Sequence, residues 1–466
     1  MSTLVALLAC GGHAERSVAS PGGGGSFAGP GGGGAGGGGG GGGGGTAAPA
    51  PGRKVSGDAK DDYASALAFF QKSADAGWTP SSCRAAADQF SAVAREHKDL
   101  VEAQYMVGRS YHACGMAKEA QSAYEAALKI NPKHGPSLSN IGELQYEAGK
   151  ISQAKTSWEN AIKANPKLAA AYVNLAMLQL DDLRKTTDQA AWTKLDEDTR
   201  KKLSISLAID NENVRAYTMY GLVFMEGWEK NKNRLDMAKL LLEEGEKRDP
   251  KYAPLQHALG LLALHKNNLT EALTRFQAAE QLDGNLVEAR MNIGLITLGF
   301  RRYDTAKDEF TKVLQEDPKD YDAMIGLGIA ERGLGDLAGA EASYNKAQSI
   351  DGSRGEAYFN LGVLYKDFKA SKESDLKASK DTYKKAKDYF STFLGKSGSA
   401  DDKEEAKQNI ADCDKVMKQI DQFIQSMGSQ PQGGTGGSGA SAPAPATSAA
   451  PAPPPGAAPS AAPSNG

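Results

Sequence analysis

Small and apolar residues return along this chain with a period of 34, a spacing that belongs to a pair of helices and neither to one helix nor to a strand. Five blocks carry it without interruption: 101–134, 135–168, 253–286, 287–320 and 321–354. The eighth position is glycine in all five (Gly108, Gly142, Gly260, Gly294, Gly328), and the twentieth is alanine (Ala120, Ala154, Ala272, Ala306, Ala340). The twenty-fourth is aromatic (Tyr124, Trp158, Phe276, Phe310, Tyr344), and the thirty-second is Pro or Gly (Pro132, Pro166, Gly284, Pro318, Gly352). The pattern predicts two antiparallel helices per block, A then B. A small residue on each lets them approach closely. The large twenty-fourth residue should fill the space toward the next block, and Pro at the end stops helix B.

Three further blocks fit with insertions. Block 169–213 begins in phase (Tyr172, Leu175, Ala176) and then carries extra sequence at 181–201. Block 214–252 keeps Gly221, Ala238 and Pro250 around an insertion at 228–233. Block 355–396 keeps Tyr358, Gly362, Ala386 and Phe390 with a lysine-rich stretch at 366–385, expected to be a solvated helix extension. A degenerate first block, 61–100, has Ala86 and Phe90 in phase, and a polar helix at 401–427 should close the open end.

These in-phase positions resemble the tetratricopeptide-repeat (TPR) family. The resemblance implies an all-α fold: a right-handed TPR superhelical solenoid of about nine helix-turn-helix repeats plus a C-terminal capping helix. The solenoid should span 59–427, between tails read as disordered. The repeat positions themselves are packing residues and carry no chemistry.

The ends add a second theme. Leu7-Leu8-Ala9-Cys10 resembles a bacterial lipobox, in which Cys10 would carry lipid. The stretch before it is short and lacks a basic leader, so 1–10 reads either as a truncated lipoprotein signal or as a chance tetrapeptide. The composition beyond Cys10 favours the anchor. Residues 11–58 are Gly-rich with a Pro/Ala end, a composition for a disordered tether reaching about 35–40 Å. Residues 428–466 form a second Gly/Ser/Pro/Ala tail. No stretch is long and apolar enough to cross a bilayer.

A net charge of −3 argues against nucleic-acid binding. Of the four cysteines, Cys83 and Cys114 fall at neighbouring helix ends, where a disulfide is open to them. The other reading is two buried small hydrophobes; Cys413 has no evident partner. No nucleophile elbow, phosphate loop or metal-ligand spacing occurs, so no enzyme activity, cofactor, metal or small-molecule substrate is expected. His257 and His265, one face apart by about 12 Å of helix, are too distant to share a metal. Both are expected in solvent on the inner face.

Helix A should line the concave side. Tyr105 and Tyr146 belong to a polar entrance with Glu102, Arg109, His112, Glu143 and Glu147. Beyond them the inner positions turn apolar: Val173, Met177, Leu222, Met225, Leu261, Leu264, Met291, Leu295, Ile325, Ile329, Phe359 and Val363. An exposed strip of this kind marks a partner groove for an apolar segment of another protein. The alternative is that neighbouring helices cover it. The lysine and asparagine pattern of carboxylate-clamping repeats is absent, because position 5 is never lysine.

Lipobox, tether, repeats and tail together resemble the repeat lipoproteins of the bacterial adventurous gliding-motility envelope complex. That resemblance implies an outer-membrane-anchored, periplasm-facing protein-interaction scaffold whose partners are other envelope proteins. An assembly lipoprotein for outer-membrane proteins or type IV pili, and a cytoplasmic adaptor, are the alternatives.

Overall fold

The computed structural model describes residues 57–396 and 400–428. The lipobox with Cys10, nearly all of the tether and the C-terminal tail lie outside the described residues. Among the described residues nineteen α-helices follow one another with no strand. They form nine hairpins: α1 (Gly57–Asp75) with α2 (Pro80–Glu96), α3 (Val101–His112) with α4 (Ala117–Ile130), α5 (Gly135–Glu147) with α6 (Ile151–Ala164). Next come α7 (Ala169–Lys185) with α8 (Gln189–Ile209), α9 (Val214–Met225) with α10 (Asn233–Arg248), and α11 (Ala253–His265) with α12 (Leu269–Leu282). The last three pairs are α13 (Val287–Gly299) with α14 (Tyr303–Glu316), α15 (Tyr321–Gly333) with α16 (Leu337–Ile350), and α17 (Glu356–Val363) with α18 (Leu376–Leu394). Helix α19 (Ala400–Gly428) packs on α18 and closes the array. Each helix packs chiefly on its two neighbours in sequence, which is how a unit too small to bury its own apolar face becomes stable.

The twenty-fourth residue does more than bridge to the next unit. Its ring lies against the glycine of its own unit, sixteen residues back. A Cβ on Gly260 would stand 2.6 Å from Phe276, and one on Gly328 would stand 2.5 Å from Tyr344. The glycine therefore makes room for a ring and not only for a backbone. Phe310 shows both relations, since it meets Gly294 in its own unit and Gly326 in the next. All five alanines at position 20 are fully buried.

The insertions are absorbed in different ways. Residues 181–201 lengthen α7 and α8 to 17 and 21 residues, against 13 and 14 in the preceding unit. The residues near 228–233 form the turn between α9 and α10, which folds back onto the lengthened α8. Asp196, only 3% exposed, receives Arg234 Nη2 and Nη1 at 2.7 and 3.2 Å. Arg234 also donates to the backbone oxygens of Val223, Phe224 and Glu226, which ties both insertions together.

The lysine-rich stretch is not a simple solvated extension. It breaks into a π turn at Leu364–Lys369 and a 3₁₀ turn at Ala370–Lys372 before α18 starts. Its lysines then meet acceptors: Lys369 bonds Glu341, Lys366 Nζ bonds Asn409 Oδ1 at 2.8 Å, and Lys380 Nζ bonds Asp421 at 2.6 Å. Two of these contacts, from Lys366 and Lys380, reach the cap helix at Asn409 and Asp421.

Cys83 in α2 and Cys114 after α3 are joined by a disulfide with Cα atoms 6.3 Å apart. The bridge staples the degenerate first unit to the second. Cys413 is a buried free thiol in α19, pushed up to about 11 chiefly by burial.

Candidate functional site

The side lined by the A helices was expected to present an open apolar strip. The structure covers much of it. Tyr105, Val173, Met177, Leu222, Met225, Leu295, Ile325 and Phe359 are buried, and Tyr146, Leu261, Leu264, Met291, Ile329 and Val363 are half-buried. The physical reason is contact between successive A helices. Helix α9 touches both α7 and α11, α13 touches α15, and α15 touches α17. Side chains aimed sideways along this face are therefore packed between units. What remains half-exposed of the expected strip is a broken seam: Tyr146 on α5 and then, past the covered positions of α7 and α9, Leu261, Leu264, Met291, Ile329 and Val363.

His257 corrects a second expectation. It is not in solvent but 8% exposed, and its Nε2 accepts from Asn292 Nδ2 at 3.1 Å. Burial, followed by the charge of Arg184, pulls its pKa down to about 4. His265 is half-buried beside the Trp228 ring, 5.2 Å away.

Asparagine at position 6 has a structural task in several units, linking one A helix to a neighbour. Asn140 Nδ2 donates to Tyr124 OH at 2.9 Å, Asn174 Nδ2 to Glu143 at 3.1 Å, and Asn292 to His257 of the preceding unit. At the entrance His112 lies between Tyr124 OH, 3.3 Å from Nδ1, and Glu147, 3.5 Å from Nε2. Arg109 sits over the Phe70 ring, with its guanidinium carbon 5.3 Å from the centroid.

Charges on this side are mostly satisfied. Arg184 Nε meets Glu226 at 2.9 Å. Arg354 Nη2 bridges Asp322 and Glu356 at 2.6 and 3.1 Å while covering the Tyr321 ring. Arg215 differs, and the sequence pattern does not single it out. It stands at the start of α9 with Nη2 3.9 Å from Met177 Sδ and with a buried Nε that has no partner.

Sequence spacing also missed one cluster of metal-type donors. Donor atoms of Asp62, Glu96 and His97 lie within 4.8 Å of one another at the open end. His97 Nε2 is 3.4 Å from Asp62 Oδ2, and a hydrogen bond accounts for that meeting. Among the described residues no helix is long and apolar enough to cross a membrane.

The hairpin array defines the class: an α-solenoid of helical repeats. Within that class the chain carries tetratricopeptide repeats, since tetratricopeptide repeat models match residues 101–134, 140–196 and 291–357. No curated protein matches the chain. Among solved structures it is similar to YrrB, a TPR protein with an unusual peptide-binding site: 24% identity, TM-score 0.32, over 43% of this chain and 95% of that one. It is also similar to pilF of Pseudomonas aeruginosa: 17% identity, TM-score 0.40, over 52% of this chain and 96% of that one. A third is PilW, a type IV pilus biogenesis factor: 13% identity, TM-score 0.38, over 50% of this chain and 97% of that one. These are likenesses to parts of the chain, in fold and not in activity.

Proposed function

We propose that the protein is a scaffold that holds other proteins along its A-helix face. The observation that carries this reading is the set of half-buried apolar side chains on successive A helices from Leu261 to Val363. The finer reading places the scaffold in the bacterial envelope, anchored to the outer membrane by lipid on Cys10, as a structural part of a gliding-motility complex. The Cys83–Cys114 disulfide supports an oxidising compartment over a cytoplasmic adaptor.

Affinity capture from native cells tests both levels. Leu261→Glu with Met291→Glu alters two seam residues without entering the fully packed layer. It should remove the captured partners while helix content stays unchanged, and unaltered capture would sink the seam. Mass spectrometry of the N-terminal peptide should show acyl chains on Cys10. Motility-complex proteins among the partners support the finer reading, whereas cytosolic partners and an unmodified Cys10 contradict it.

A further inference from the structure

We infer that residues 443–455 of this chain lie over the exposed apolar end of its own cap helix, at Phe423, Ile424 and Met427. The inference is independent of which face of the solenoid holds a partner.

Helix α19 carries one stripe of residues seven apart: Ala406, Cys413, Ile420 and Met427. That spacing keeps them on one side of a helix. The first three are buried, whereas Met427 is 54% exposed. The register against α18 gives the reason. Lys380 Nζ meets the Asp421 carboxylate at 2.6 and 2.8 Å, and Lys387 Nζ meets that of Asp414 at 2.6 and 2.9 Å. Seven residues forward on α18 thus match seven back on α19. Leu376, where α18 begins, lies four residues before Lys380 and so stands level with Gln425, four after Asp421. Met427 reaches past that start, and Phe423 and Ile424 beside it are exposed as well.

The size of the patch decides between occupants. Three side chains offer a few hundred Å² at most, whereas a stable complex of two free molecules buries about 800 Å² on each. A second copy or a separate protein would gain too little there to offset the entropy lost on association. A segment of the same chain is spared most of that loss. Fifteen residues rich in Gly and Ser separate Met427 from Pro443. A linker of that kind reaches about 20 Å and holds its far end at a local concentration in the millimolar range.

The chemistry of the two sides agrees. Up to Asp421 the sequence of α19 is dense in Asp, Glu and Lys, but from Gln422 to Gly466 no Asp, Glu, Lys or Arg occurs. Neither the helix end nor the segment therefore gives up ionic hydration on contact. Residues 443–455 are six prolines and five alanines with one Thr and one Ser. Proline-rich stretches dock on aromatic side chains, and a polyproline II backbone leaves its carbonyls without internal hydrogen bonds. Phe423 supplies the ring. Gln419, exposed one turn before it, supplies an amide that can donate to such a carbonyl. Covering this end would close the last apolar edge of an array on which a further helix could otherwise stack.

The test follows the Met427 methyl resonance of the full chain, ¹³C-labelled at its methionine methyls, with Met237 on α10 as the reference. A comparison chain carries Pro443→Gly, Pro445→Gly, Pro451→Gly, Pro453→Gly, Pro454→Gly and Pro455→Gly together, which leaves every described residue unchanged. The expected result is a Met427 shift between the two chains that is the same at every protein concentration, with Met237 unmoved. A capped synthetic peptide of residues 441–457, added to the comparison chain, should return Met427 towards its original position with a Kd on the order of 1 mM. In a Phe423→Ser background the difference between the two tails should vanish while helix content is retained.

Identical Met427 positions in the two chains overturn the inference, as does a difference that persists with Phe423→Ser. A Met427 shift that grows with protein concentration also overturns it, and puts a second copy on the patch instead.

Discussion

Trp158 lies against Gly142 of its own hairpin, where a Cβ on Gly142 would stand only 2.5 Å from the indole Nε1. The same Nε1 donates to the Ser139 carbonyl at 3.0 Å, which pins the ring to helix α5. The repeat glycine and the repeat aromatic are therefore two halves of one contact. It survives insertion: Gly362 meets Phe390 and Gly221 meets Leu242, although more residues separate each pair.

Gly142→Ala tests that contact. Alanine gains up to about 1 kcal/mol of helix propensity, but overpacking a rigid ring costs about 1–3 kcal/mol. The net result should be a loss, seen as a lower urea midpoint and faster amide exchange in α5 and α6. Removing the ring by Trp158→Ala should cost more, about 3–5 kcal/mol.

The Cys83–Cys114 bridge should act locally. It closes a loop of sequence separation 31, for which constraint of the unfolded chain is worth about 2–4 kcal/mol. Reduction, or Cys83→Ser with Cys114→Ser, should speed amide exchange in α1 and α2 and leave α11 to α18 unchanged. Uniform destabilisation along the whole array would contradict a local staple.

Asp196 and Arg234 hold the two insertions together inside the fold. Asp196→Ala leaves a nearly buried guanidinium without its carboxylate, a change that typically costs about 3–5 kcal/mol. Thermal unfolding of the variant should show it, with the loss centred on α8 and the turn before α10.

Acid should weaken the fold between about pH 6.5 and about 4. Burial pulls both His134 and His257 down to about 4. The unfolded chain binds protons at these sites below about pH 6.5, whereas the folded chain refuses them until about pH 4. Stability is thus fully present above about pH 6.5 and falls as pH drops, by up to about 3 kcal/mol per histidine. His112 has the opposite sign. Burial lowers it, but Glu147 and Glu143 outweigh burial and raise it, so it offsets part of the loss. Urea titrations at pH 7 and pH 4.5 should show the difference, and His257→Gln should reduce it.

The fold was legible in the sequence because it is repetitive. Gly, Ala, aromatic and Pro recur in phase, and nearly every predicted hairpin is where the period puts it. The functional face was harder to read, for a physical reason. Periodicity tells which side of a helix Val173 or Leu295 occupies, but not how closely the next A helix packs beside it. That distance decides between an open groove and a packed seam. His257 was misplaced for the same reason, since its cover comes from Asn292 a full repeat away. Arg215 could not be singled out at all, because being unpaired is a property of its neighbours and not of its own position. Asp196 and Arg234 lie in insertions, where the period gives no register.

Photo-cross-linking in native cells tests the central claim most directly. A photoreactive residue would replace Leu261 or Met291 on the A-helix seam, or Met237 or Leu240, which are 43% and 53% exposed on helix B α10. The account predicts discrete partner adducts from 261 and 291 and none from 237 and 240. Adducts confined to the helix B positions would contradict it and move the partner surface to the other side of the solenoid.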